Sequence, residues 1–135
     1  MRGWGARVSW SGRPGPVHSL VGLELPPGLV PTLGSDAVGV PARYGLGLLA
    51  RLPRSGCVYA DDDWWWWIVP TGSDEELLWP LPAHYAPGAR VPGWRPQLIS
   101  WPEDGSPYTP PLPLYLNACQ LTGVAPRWTA AAAPN

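Results

Sequence analysis

The chain has no lysine and no phenylalanine, a single methionine and only two cysteines, and just 14% of its 135 residues are charged. Each shortage narrows the reading. Nine basic residues against ten acidic ones give a formal net charge of -1. There is thus no basic excess to neutralise a phosphate backbone, and no arginine run to form a local stripe, which argues against nucleic acid as a partner. No apolar segment is long enough to cross a bilayer. The N-terminal stretch MRGWGARVSWSGRPGP has arginines but no apolar h-region, so it predicts no signal peptide. A cytoplasmic protein that neither binds nucleic acid nor enters a membrane is the expectation. Cys57 and Cys119 lack the spacing of a metal knuckle, and two buried thiols are expected rather than a disulfide. With His18 and His84 they make four nominal zinc ligands, but without a close Cys or His pair. Neither thiol lies at a helix N-terminus, where a reactive thiolate would be favoured. No cofactor and no metal are expected, and binding is expected rather than catalysis.

Two residue types are abundant instead. Twenty prolines and sixteen glycines approach the level of unstructured chains, whereas ten tryptophans and five tyrosines drive collapse. Together with the absence of lysine, this is the composition of a GC-rich genome. It predicts a packed core with long irregular connections. Residues 1–16 read as an arm, 17–128 as one domain and 129–135 as a tail.

The stretch CVYADDDWWWWIVP, residues 57–70, is the most informative. Cys57 to Ala60 and Trp64 to Val69 read as two strands, with Asp61, Asp62 and Asp63 in the hairpin loop between them. Pro70 closes the second strand. Strand alternation places Trp64, Trp66 and Ile68 on one face, and Trp65, Trp67 and Val69 on the other. A strand apolar on both faces requires separate cover on each. That cover is either core on both sides, or core on one side and a partner on the other.

Around the hairpin, a strand is expected within residues 17–25, stopped by Pro26, Pro27 and Gly28, and another within 29–40. Residues 42–52 favour a short helix after Pro41, with Leu46, Leu49 and Ala50 on one face. Ser73 and Glu76 suggest a capped single helical turn. Residues 80–111 read as long loops with one short strand in 95–101. Residues 112–122 read as a helix, with Pro113 in its first turn and Gly123 just beyond its end. Its expected stripe is Leu112, Tyr115, Leu116 and Cys119, broadened by Leu114, Ala118 and Leu121. The fold class is therefore α+β: a small antiparallel sheet built around a Trp-rich hairpin, packed by a C-terminal helix, with long Pro-rich loops.

For function, tryptophan, tyrosine and arginine are the usual anchors of protein interfaces. The expected partner-binding set is Trp64, Trp65, Trp66, Trp67 and Tyr59 with Arg51 and Arg54, and the partner is another protein or a second copy of this chain. The alternative is a small-ligand or enzymatic pocket lined by Trp64, Trp66 and Asp61 or Asp63. Carboxylates at alternate positions suit hard cations, but a solvated turn is the commoner use of three aspartates.

Overall fold

The computed structural model describes residues 20–53, 55–93, 96–102 and 105–127. The expected N-terminal arm and C-terminal tail lie outside the described residues. The described residues form an α+β fold. In chain order the elements are β1 (Leu20–Gly22), β2 (Asp36–Pro41), α1 (Ala42–Arg51), β3 (Val58–Ala60), β4 (Trp64–Val69), β5 (His84–Ala86), β6 (Arg90–Pro92), β7 (Gln97–Ser100) and α2 (Pro111–Thr122). A short 3-10 turn, Pro87–Ala89, links β5 to β6. Five strands make one antiparallel sheet in the order β5-β2-β4-β3-β7, and β1 pairs with β6 in a two-stranded ribbon.

The hairpin lies at the heart of this sheet, as the alternation requires. β4 is the central strand, paired with β2 and β3 on either side. One face carries Trp66 and Ile68, packed with Tyr59, Ala37 and Cys57 beneath Val91 of the ribbon. The opposite face carries Trp67 and Val69, packed with Val38, Val40 and Val58 beneath Leu48 of α1 and Leu114 of α2. The molecule is thus layered: ribbon, sheet, helix pair. Both faces of the Trp-bearing strand are covered by the chain itself.

Two glycines allow this. Gly39 on β2 stands opposite Trp66 in the strand register, and a Cβ there would meet the Trp66 ring at 2.5 Å. Gly45 in α1 is buried, and a Cβ there would meet the Trp65 ring at 2.3 Å. Gly45, which weakens the helix by roughly 1 kcal/mol relative to alanine, is what lets α1 settle onto the indole. That seating also corrects the expected helix face. Gly45 and Leu48 are buried, while Leu46 is 72% exposed.

α2 begins and ends as its prolines and glycine dictate, with Gly123 left-handed at φ 75° just past its end. Its buried residues are Leu114, Tyr115, Ala118 and Cys119, whereas Leu112 and Leu116 face solvent. The expected stripe is therefore rotated. Leu114 packs with the sheet, whereas Tyr115 and Cys119 pack with Leu77 and Trp79 of the 72–79 segment.

Two further expectations are corrected. Ser73 caps no helical turn: its hydroxyl donates to the Pro70 carbonyl at 2.7 Å, its amide donates to the Tyr85 hydroxyl, and the segment forms turns. Residues 80–111 hold three short strands rather than one. β5 and β6 are only three residues each, too short for a period to show in the sequence.

Gly39→Ala tests the close approach. Overpacking of this kind costs about 1–3 kcal/mol, so the urea unfolding midpoint should fall. An unchanged midpoint would mean that the Trp66 ring can slide aside.

Candidate functional site

The Asp61–Asp63 loop is locally built. Asp61 Oδ1 accepts from the backbone N–H groups of Asp63 and Trp64, both at 2.8 Å. Its other oxygen faces Gly93, where an added Cβ would come within 2.8 Å. The carboxylate therefore shapes the turn. Burial pushes the Asp61 carboxyl above its ordinary value, against the opposing pull of the two amides. Asp62 and Asp63 point to solvent. Among the described residues, no three His, Cys, Asp or Glu side chains stand close enough together to hold a metal ion.

The four indoles grade from edge to centre. Trp64 and Trp65, nearest the loop, are half-buried, and Trp66 and Trp67 are 0% exposed. Trp64 stacks on Trp66 at 5.6 Å between ring centroids, and Trp65 lies 6.1 Å from Trp67. The indole N–H groups of Trp66 and Trp67 are buried without a hydrogen-bond acceptor among the described residues. Such an orphaned donor costs about 1–3 kcal/mol, which the volume of these rings must offset.

These positions correct the expected partner-binding set. Trp66, Trp67 and Tyr59 are core residues and offer no surface. The Tyr59 hydroxyl is occupied as well, donating to the Glu24 carbonyl at 2.6 Å. Trp64, Trp65 and the exposed Arg51 keep some access to solvent, and Arg54 lies outside the described residues. The Trp/Asp-lined pocket is corrected in the same way. Trp66 is enclosed, Asp61 is engaged in its turn, and neither Trp64 nor Asp63 lines either cleft described below.

Other groups proved more consequential. Asp36, only 5% exposed, accepts at Oδ2 from the Tyr85 hydroxyl at 2.5 Å and the Gly72 N–H at 3.0 Å, and at Oδ1 from the Gly88 N–H at 2.7 Å. One carboxylate thereby ties β2 to the turn at Gly72, to β5 at Tyr85 and to the 3-10 turn at Gly88, all far away in the chain. Burial and that bond to Asp36 push the Tyr85 phenol pKa well up. A lone aspartate before an apolar strand gives no hint of this in the sequence. Cys57 and Cys119 are free and buried, and burial pushes both thiols up, away from reactivity.

Two clefts stand out. One, of about 560 Å³, lies between the 72–77 turn and the start of α2, lined by Glu75, Glu76, Leu77 and Leu112 among others. The second, of about 350 Å³, lies between β5 and the ribbon, lined by Leu20, His84, Tyr85, Ala86, Pro87, Arg90 and Pro92. The largest exposed aromatic among the described residues is Trp101, 62% exposed, directly after the edge strand β7. No helix among the described residues is long and apolar enough to cross a membrane. Comparison with known protein families, with curated proteins and with solved structures finds no match. The functional reading therefore rests on this chemistry alone.

The Asp61 environment carries its own prediction. The folded chain holds the Asp61 proton more tightly than the unfolded chain does. Ionisation therefore opposes folding as pH rises past the ordinary carboxylate pKa of about 4. Asp61→Asn keeps an oxygen for the two amides and removes the ionisation. Its stability relative to the parent should be flat at low pH and should improve as pH climbs through that window, read from urea unfolding at a series of pH values. A difference independent of pH would show that the turn amides cancel burial, and one that falls as pH climbs would show that they outweigh it.

Proposed function

We propose that the protein is a noncatalytic binding module that takes up an extended segment of another polypeptide chain, or of a second copy of itself, along β7. The observation that carries this is the edge. β7 is the last strand of the five-stranded sheet, paired with β3 alone, so its outer N–H and C=O groups have no strand partner among the described residues. An unpaired edge is a template for an added strand. Its residues Gln97, Leu98, Ile99 and Ser100 bear no charge that would repel an incoming strand. Ile99 is 40% exposed and Trp101 62% exposed, so apolar anchors stand beside the backbone template. Pro96 and Pro102 bracket the strand. Proline cannot donate to a ladder, so pairing is confined to a short register and runaway assembly is checked. In this reading the tryptophan run is the support of the binding edge rather than the edge itself.

The double variant Ile99→Lys/Trp101→Ser tests it. Cross-linking in the source cell identifies the bound chain, and sedimentation at rising concentration reports self-association. The variant should weaken whichever contact is found by about tenfold or more, with circular dichroism unchanged. Backbone amides of residues 97–100 should gain hydrogen-exchange protection in the complex. Undiminished affinity in the variant, or no added protection at β7, overturns the proposal.

A further inference from the structure

The second cleft is independent of that edge. We propose that it is a binding site for a small apolar monocarboxylate, such as an aryl or branched-chain acid. Its walls are mostly apolar, from Leu20, Ala86, Pro87 and Pro92. Its ionisable lining groups are Arg90, His84 and Tyr85, and no carboxylate lines it among the described residues. The Tyr85 hydroxyl is committed to Asp36, which leaves Arg90 and His84 to meet a ligand.

His84 packs beside two indoles, and Arg90 is an exposed side chain at the rim of the cleft. The Arg90 stem passes close to Gly88, where an added Cβ would lie 3.7 Å from Arg90 Cγ, and Asp36 fixes Gly88 through its N–H. The His84 imidazole lies edge-on to Trp64 and Trp66, with ring centroids 6.0 and 6.4 Å away. Burial against these rings pushes the His84 pKa down, so near neutral pH the imidazole is an uncharged hydrogen-bonding group. A guanidinium offers a planar fork that matches a carboxylate. One such cation among apolar walls suits a single negative charge on an apolar body. A phosphate dianion would call for further donors. The volume, about 350 Å³, is near the lower end for ligand sites and fits one ring or one branched chain.

Benzoate is the probe, and benzamide is its uncharged match. Titration of the full chain is followed by the NMR resonances of the His84 ring and by tryptophan fluorescence, since His84 touches two indoles. Saturable shifts of His84 with benzoate, weaker with benzamide, are expected. Arg90→Gln should weaken benzoate at least about tenfold, and Arg90→Lys should recover only part of that loss, because an ammonium lacks the fork. Three outcomes overturn the proposal: no saturable shift up to about 20 mM benzoate, where even weak sites fill; equal affinity for benzamide; or undiminished binding in Arg90→Gln. Tighter binding of phenyl phosphate than of benzoate also overturns it, by assigning the site to a phosphoryl group. Both arginine variants alter an exposed side chain, and circular dichroism checks that each is folded.

Discussion

The structure depends on one constraint: the central strand presents indoles to both sides, so neither face of the sheet can be left to water. A half-solvated antiparallel sheet would have alternated apolar with polar residues. Here Trp66 and Ile68 call for the ribbon, and Trp67 and Val69 call for the helix pair. The layered arrangement is the response to six consecutive apolar residues in an extended conformation. Where the rings are too large for an ordinary approach, the neighbouring backbone gives way. Gly39 clears room in the sheet and Gly45 clears room in the helix.

Much of this was legible in the residues. The hairpin boundaries, the two faces of β4, the helix closed by Gly123 and the strand in 95–101 follow from alternation and from proline and glycine placement. Other features were hidden, each for a physical reason. β5 and β6 are too short to display a period and draw their register from neighbours. The buried side of α1 was misplaced because its leucines suggested a face, whereas Gly45 is where its backbone can come close to the Trp65 ring. For α2 the broad apolar face held its buried residues Leu114, Tyr115, Ala118 and Cys119, but did not reveal that Leu112 and Leu116 stay exposed. The role of Asp36 was invisible because its three donors come from residues 72, 85 and 88.

The site reading shifted for the same reason. Aromatic rings attract attention as surfaces, yet Trp66 and Trp67 are the centre of the fold. Exposed apolar groups lie elsewhere, among them Ile99 and Trp101 at the outer strand. The ionisable cleft depends on residues that looked like connecting loop, His84 and Arg90. The hairpin acts at a distance in both cases: β3 carries β7 on its free side, and Trp64 and Trp66 back the His84 ring. The chain's most conspicuous residues thus frame the two proposed recognition surfaces without themselves forming them.

The meeting of Gly39 with Trp66 and of Gly45 with Trp65 has a consequence for how such a chain can change over generations. Bulk at one member of each pair is exchanged for bulk at the other. A narrower ring in the strand would leave a void that a methyl on the facing glycine could fill, whereas either substitution alone would leave a gap or a collision. The two positions of each pair are therefore expected to drift together, as reciprocal volumes. Descendants of this sequence would trade indole for aliphatic and glycine for alanine in concert.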